Sequence, residues 1–189
     1  RGEASRDFGV WPRYSAACRR AVDRLLRQGG SLSAYRSNPS WPVGPREGSW
    51  AWKLERLAER QFTVKHAIAV NSGTMALMAA IRALHLPKGG EIITTPYTFS
   101  ATAAAAIFMV YTPVFADVMG ADYTLDPISV ARAVTAETVA IMPVDLFGGL
   151  ADYNELKRSG LPIIQDACQA VGATRTWLYG QVAAWSFNG

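Results

Sequence analysis

Cysteine is scarce in this chain of 189 residues, with only Cys18 and Cys168 present. Two residues so far apart exclude a disulfide scaffold, and no CxxC or HExxH spacing offers a metal site. Lysine is almost as rare, at four residues against 15 arginines. No apolar run approaches the roughly 20 residues needed to span a bilayer, which argues against a membrane partner. The first residues scatter their charges instead of placing a basic start before an apolar core, so they do not read as a signal peptide. Neither GxGxxG nor GxxxxGK[ST] occurs, which removes the key feature of dinucleotide and P-loop readings. These absences describe a reduced, cytoplasmic globular protein without a metal.

The chain is 50% hydrophobic and 11% aromatic, which excludes a disordered polymer. Its length suggests one to one and a half domains that bury about 70% of the unfolded surface. The net charge of +4 and pI of 9.3 invite a nucleic-acid reading. The densest basic stretch, however, is Arg19, Arg20, Arg24 and Arg27, at helical spacing opposite Ala17, Ala21, Val22, Leu25 and Leu26. That pattern is the solvated face of an amphipathic helix, and no nucleic-acid partner is expected.

Residues 1–49 read as an N-terminal helix and a loop-rich arm. The helix near 15–28 stops at Gly29-Gly30, and Pro39, Pro42, Gly44, Pro45 and Gly48 follow, with Trp41 and Trp50 nearby. Trp50, Leu54, Leu57 and Ala58 start a second amphipathic helix closing near Phe62. Beyond residue 64 short apolar runs at 66–70, 91–95, 113–116, 139–144 and 161–165 alternate with helical stretches at 74–84, 100–108, 127–134 and 153–158. Asp126-Pro127 and Asp152 are helix-start signals. Alternation of this kind predicts an α/β fold, a three-layer structure with a mainly parallel sheet and helices on both faces.

In such a sheet, ligands sit beyond the carboxyl ends of the strands. Asn71-Ser72-Gly73-Thr74 follows one apolar run and opens a helix, which makes it either an anion site or an ordinary N-cap. Asp166 and Asp117, each just past an apolar run, read as ligand-end carboxylates or as caps. Ala184-Trp185-Ser186-Phe187 reads as a further strand ending in a hydroxyl.

Taken in order, Val70-Asn71-Ser72-Gly73-Thr74-Met75-Ala76-Leu77, Glu91 to Thr102, Pro113 to Asp117, Pro143-Val144-Asp145-Leu146-Phe147-Gly148, Gln165 to Ala173 and Ser186-Phe187 form a pattern. It resembles the DegT/StrS-type aminotransferases. The resemblance covers the chain from about residue 10 to its last residue. It implies the large domain of a fold type I enzyme over residues 50–189, without a C-terminal small domain. It further implies pyridoxal 5'-phosphate as cofactor, a keto sugar or cyclitol (often nucleotide-linked) as substrate, glutamate or glutamine as donor, and a homodimer. The loop-rich stretch 29–49 would then lie near the substrate entrance or the dimer partner.

The same resemblance assigns roles. Gly73, Thr74 and Ser186 would hold the cofactor phosphate, and Phe99, otherwise a core aromatic, would stack on the ring. Asp166 would pair with the ring nitrogen and Gln169 with the ring hydroxyl. The Schiff-base lysine would fall five residues after Ser186, at position 191, just beyond Gly189; Lys53, Lys65, Lys88 and Lys157 do not match it. No catalytic residue is therefore assigned within the chain, which reads as truncated before the lysine. A sugar dehydratase with His at that position, or a non-catalytic regulatory relative, would share the scaffold. Departures from the pattern are Asp145 in place of His or a neutral polar residue, Gln181 in place of Asp, and Val110-Tyr111 in place of a Gly-containing helix stop. Cys168, in place of Ala, is expected to matter little.

Overall fold

The computed structural model describes residues 15–27, 49–173 and 178–187. The chain divides at Lys53/Leu54 into two compact units. In the first, α1 (Ala16–Arg27) buries no side chain and carries an Arg27–Asp23 ion pair at 2.8 Å, as a solvated amphipathic helix should. The glycine stop at 29–30 and the loop-rich stretch that follows it fall outside the described residues up to Ser49. There α2 (Trp50–Phe62) begins, capped by the Ser49 hydroxyl, which accepts from the Trp52 N–H.

The second unit is the α/β layer structure that the alternation predicts. Its elements are α3 (Gly73–Ala83), β1 (Glu91–Thr94), α4 (Ala101–Phe108), β2 (Thr112–Phe115), α5 (Pro127–Ala133), β3 (Thr138–Ile141), α6 (Tyr153–Leu156), β4 (Ile164–Asp166) and β5 (Val182–Ala184). All the strand pairings are parallel, in the orders β2-β1-β3 and β4-β5. Parallel bridges Ile141–Ile163 and Val144–Asp166 join β3 to β4. The order across the sheet is therefore β2-β1-β3-β4-β5, and its connectivity reverses between β1 and β3, the position where such sheets place a ligand.

Side chains alternate between the two faces. Ile92, Ala140, Met142, Ile164 and Ala184 pack with Leu77, Ala80 and Ile81 of α3 and Ala105 and Ala106 of α4. Ile93, Ile141 and Ile163 pack on the other face with Val130 of α5 and Tyr153 and Leu156 of α6. Each fully buried aliphatic contributes about 1.5–3 kcal/mol, so the run-like apolar strands follow from burial on both faces. The caps expected from sequence form: Asp126 accepts from the Ile128 N–H at 3.0 Å ahead of Pro127, and Asp152 from the Glu155 N–H at 3.1 Å.

The apolar run 66–70 departs from expectation, because it is not a strand. Its Ala67 and Ala69 N–H groups donate to Glu59 Oε1 at 3.2 Å and Glu55 Oε1 at 2.8 Å, both on α2. Four helical residues rise about 6 Å and two extended residues about 6.6 Å, so carboxylates one helical turn apart match alternate amides.

The helix stop at 109–111 is also unusual. The Val110 N–H bonds the Ile107 carbonyl and the Tyr111 N–H the Ala106 carbonyl, both at 2.9 Å, the double bond of a Schellman motif. Its left-handed position holds Val110, at φ 65°, where glycine is the usual occupant and a β-branched residue is strained. Val110→Gly should therefore stabilise the chain by about 1 kcal/mol in urea denaturation, the relief of strain exceeding the entropy glycine brings to the unfolded chain. Equal or lower stability would show that the valine is not strained.

Candidate active site

Asp166 ends β4 with its side chain on the α3/α4 face, only 2% exposed. Thr102 Oγ1 of α4 donates to Asp166 Oδ2 at 2.8 Å, and the Cys168 N–H donates to Oδ1 at 3.2 Å. No cation joins them: the ion pairs among the described residues are Arg27–Asp23, Arg56–Glu59 and Arg158–Glu155, all elsewhere. Burial pushes the Asp166 carboxyl above the usual carboxylate range, and the Cys168 and Thr102 donors oppose that shift. The cap reading of Asp166 fails, since its acceptor capacity goes to a helix hydroxyl and a turn amide rather than to the start of a helix.

Gly73 stands next to this carboxylate's turn. A Cβ on Gly73 would lie 3.0 Å from Ser186 Cβ, 3.2 Å from Ser186 Oγ and 3.3 Å from Cys168 Sγ. Glycine is thus required by close approach, and it brings the start of α3 against the segment after β5. Ser72 is the N-cap, its hydroxyl accepting from the Met75 N–H at 3.2 Å while its carbonyl accepts from Ala76. The N–H groups of Gly73 and Thr74, in the first turn of α3, have no intrahelical acceptor. The sequence offered a cap or an anion site here; Ser72 makes the cap, and the two amides beside it are the kind of donors an anion takes.

Phe99 lies at the start of α4 with its ring 73% exposed, so it is not the core aromatic that was the alternative. Thr98 Oγ1 and Thr102 Oγ1, 3.2 Å apart, tie its loop to Asp166. Gln169 is half-buried in the turn after β4. Asp117, by contrast, folds back on its own chain, accepting from the Val118 N–H at 2.8 Å, and is not a cap. The sequence reading missed Thr102, which nothing but its i+4 relation to Thr98 could have flagged. It also undervalued Cys168, which forms a wall of the site; burial and the charge of Asp166 push its thiol up, so it stays neutral and unreactive.

Asp145, a departure from the family pattern, is wholly buried on the opposite face of the sheet. Its Oδ1 accepts from the Tyr153 hydroxyl at 2.8 Å and the Ala151 N–H at 3.1 Å, and its Oδ2 from Gln165 Nε2 at 2.8 Å. Gln165 Oε1 in turn accepts from the Tyr179 N–H, and the Tyr153 and Tyr179 rings stack at 4.9 Å. This network fixes the loop after β3 and does not reach the Asp166 side. Gln181 closes the sheet edge, its Oε1 accepting from the Ile163 N–H at 2.6 Å.

With this geometry in view, comparison with known proteins is decisive for the family. Residues 44–189 match the family model described as DegT/DnrJ/EryC1/StrS aminotransferase family. The chain belongs to this family, and its fold is that of the large domain of fold type I aminotransferases. It is 36% identical over 171 residues to 3-amino-5-hydroxybenzoate synthase of Amycolatopsis mediterranei, covering 88% of this chain and 41% of that protein. It is 34% identical over 178 residues to L-glutamine:2-deoxy-scyllo-inosose aminotransferase of Streptomyces lividus, covering 89% and 39%. The crystal structure of ntda from Bacillus subtilis, with bound cofactor PMP, aligns with a TM-score of 0.75 at 28% identity, covering 89% of this chain and 37% of that one. The chain thus spans less than half the length of these relatives. Among the described residues, no helix is long and apolar enough to cross a membrane.

The buried acid Asp145 yields a pH prediction. Burial raises its pKa, against the Gln165, Ala151 and Tyr153 donors, with the charge of Asp166 adding to the rise. The folded state then holds the proton more tightly than the unfolded state, so this group's contribution to stability falls as pH rises from the ordinary carboxylate range through the native pKa. Asp145→Asn removes that dependence. Urea denaturation from about pH 4 to about pH 8 should show the variant's stability deficit shrinking as pH rises; a constant or growing deficit would contradict the raised pKa.

Proposed function

We propose that this chain is the cofactor-holding part of a pyridoxal-phosphate-dependent aminotransferase that passes an amino group from glutamate or glutamine to a ketone on a sugar or cyclitol. The observation that carries the reading is the buried Asp166 carboxylate, which has no cation partner among the described residues and lies beside the Gly73–Ser186 approach. A desolvated carboxylate gains most from a positive partner, and the protonated pyridine nitrogen is one. The donor set fits the rest of the cofactor: two first-turn amides and a serine hydroxyl suit a phosphate, and an exposed phenyl face suits a flat cationic ring. The homology to aminotransferases and the PMP bound in a structural relative support the same reading.

When bound, the cofactor supplies an electron sink for the bond-breaking at the substrate carbon. The chain's own residues do the rest of what is proposed here. Asp166 holds a proton on the ring nitrogen, Phe99 covers one ring face and excludes water, and Gln169 donates to the ring hydroxyl and fixes the tilt. Gly73, Thr74 and Ser186 anchor the phosphate, which sets the distance from anchor to ring nitrogen. None of Lys53, Lys65, Lys88 and Lys157 lies on the turns that carry these residues. Assembly as a cytoplasmic homodimer, with residues 1–49 as an arm and 50–189 as the cofactor domain, completes the proposal.

Pyridoxamine 5'-phosphate tests the reading on this chain, because its binding needs no covalent lysine. The wild-type chain should quench or shift the ligand's fluorescence at saturable concentrations. Asp166→Ala should weaken binding at least about tenfold with an unchanged circular dichroism spectrum, the loss expected for one charge-assisted contact. Gly73→Ala should weaken it as well, by crowding Ser186, while the fold persists. Failure of the wild-type chain to bind, or wild-type affinity in Asp166→Ala, would sink the assignment.

A further inference from the structure

We infer that Thr102 is a positioning residue which, backed by Thr98, favours the anionic form of the Asp166 carboxyl and fixes its orientation. The inference deepens the reading of Asp166 as partner of a ring nitrogen and rests on it for its purpose, though not for its test.

Thr102 and Asp166 are both buried, at 1% and 2% exposure, and their contact is the hydroxyl donating to Oδ2 at 2.8 Å. A hydroxyl has one proton to give. Since Thr102 gives its proton to a carboxylate, the 3.2 Å contact between Thr98 Oγ1 and Thr102 Oγ1 must run from Thr98 to Thr102. The two threonines, one in the loop before α4 and one in its first turn, form a directed chain that ends on Oδ2, and such chains polarise and strengthen each member. The Cys168 N–H holds the other oxygen at 3.2 Å. With both oxygens engaged by donors, the anion is favoured and the plane of the carboxylate is fixed.

Burial works against the anion, and a neutral acid gives a protonated ring nitrogen no charge to pair with. The Cys168 side chain, neutral because burial pushes its thiol up, also favours the anion by hydrogen bonding, whereas Asp145 and Tyr153 lie across the sheet, where an anionic Asp145 would only raise the Asp166 pKa further. The hydroxyl chain works beside the thiol and the Cys168 amide. It also links the Phe99 loop to Asp166, so the residue assigned to the ring face and the residue assigned to the ring nitrogen are set by one tether.

The test is a carbon-detected NMR titration of the Asp166 side-chain carboxyl in this chain, its resonance identified by its loss in Asp166→Asn. Thr102→Val, which keeps the shape and removes the donor, should raise the Asp166 midpoint by about one pH unit, while Thr102→Ser should leave it near wild type. Thr98→Ala, at a half-buried position, should raise it by less and carries the same test without altering the core. The Asp145 midpoint, coupled to Asp166 only through its charge, should move by less. Unchanged Asp166 midpoints in both Thr102→Val and Thr98→Ala would overturn the inference. Pyridoxamine 5'-phosphate affinity gives the second readout: Thr102→Val should cost about tenfold in the wild-type background and nothing further in Asp166→Asn. An equal cost in both backgrounds would also overturn it. If the ligand does not bind at all while the midpoint still shifts, the cofactor reading falls and the role of Thr102 stands.

Discussion

The structure is organised around one carboxylate that is buried without a cation partner among the described residues. Asp166 sits where a parallel sheet delivers its strand ends, inside a layer of aliphatic side chains, and such a position costs several kcal/mol for an unpaired charge. Among the described residues, the surrounding architecture answers that cost with hydrogen bonds. The Thr102 hydroxyl comes from α4 and the Cys168 amide from the turn after β4, while β3 steadies the strand end through backbone bonds from the Asp145 N–H to the Asp166 carbonyl and from the Asp166 N–H to the Pro143 carbonyl. A fold selected for stability alone would place a hydrophobic residue there.

The second buried acid shows the contrast. Asp145 takes three donors and belongs to a closed network with Tyr153, Gln165 and Tyr179, so it secures the loop after β3 without needing anything from outside. Asp166 takes its donors from Thr102 of α4 and from Cys168 in the turn beyond β4. Strand pleating separates the two: Val144 and Asp166 are bridge partners on one face, which puts Asp145 and Gln165 on the other. Two aspartates one bridge apart therefore have different roles, and the departure of Asp145 from the family pattern concerns the scaffold rather than the site.

How much of this could be read in the sequence depended on the range of the interaction. Local chemistry was legible: the Asp126-Pro127 and Asp152 caps, and the strand–helix alternation whose uninterrupted apolar runs correctly implied burial on both faces. Partner identity was not. The run 66–70 looked like a strand because its composition is strand-like, but what bonds its amides are Glu55 and Glu59, more than a turn of helix away in sequence. Thr102 carries no signal inside an alanine-rich helix, and its role exists only because β4 ends opposite it. Val110 showed the reverse case. The missing glycine was visible, but only the left-handed φ and the paired carbonyl bonds show that the motif forms despite the valine. Cys168 looked like a harmless substitution for alanine until the Gly73 turn was seen to close on its sulfur.

Phe99 and Asp166 make complementary demands. An exposed phenyl ring just before a helix start gains by being covered, and a buried carboxylate gains by meeting a positive charge. Taken separately, either has several ordinary explanations, since exposed aromatics are common on protein surfaces and buried acids are common in hydrogen-bonded networks. The hydroxyls of Thr98 and Thr102 tie the two into one site, and the Gly73–Ser186 approach adds amide donors beside them. A group that satisfies all three at once must be flat and apolar on one face, positive at one edge and anionic at another. Few small molecules combine those features, and a pyridine ring bearing a phosphate is one of them. The coincidence of these three requirements in one place is what supports the proposed cofactor class.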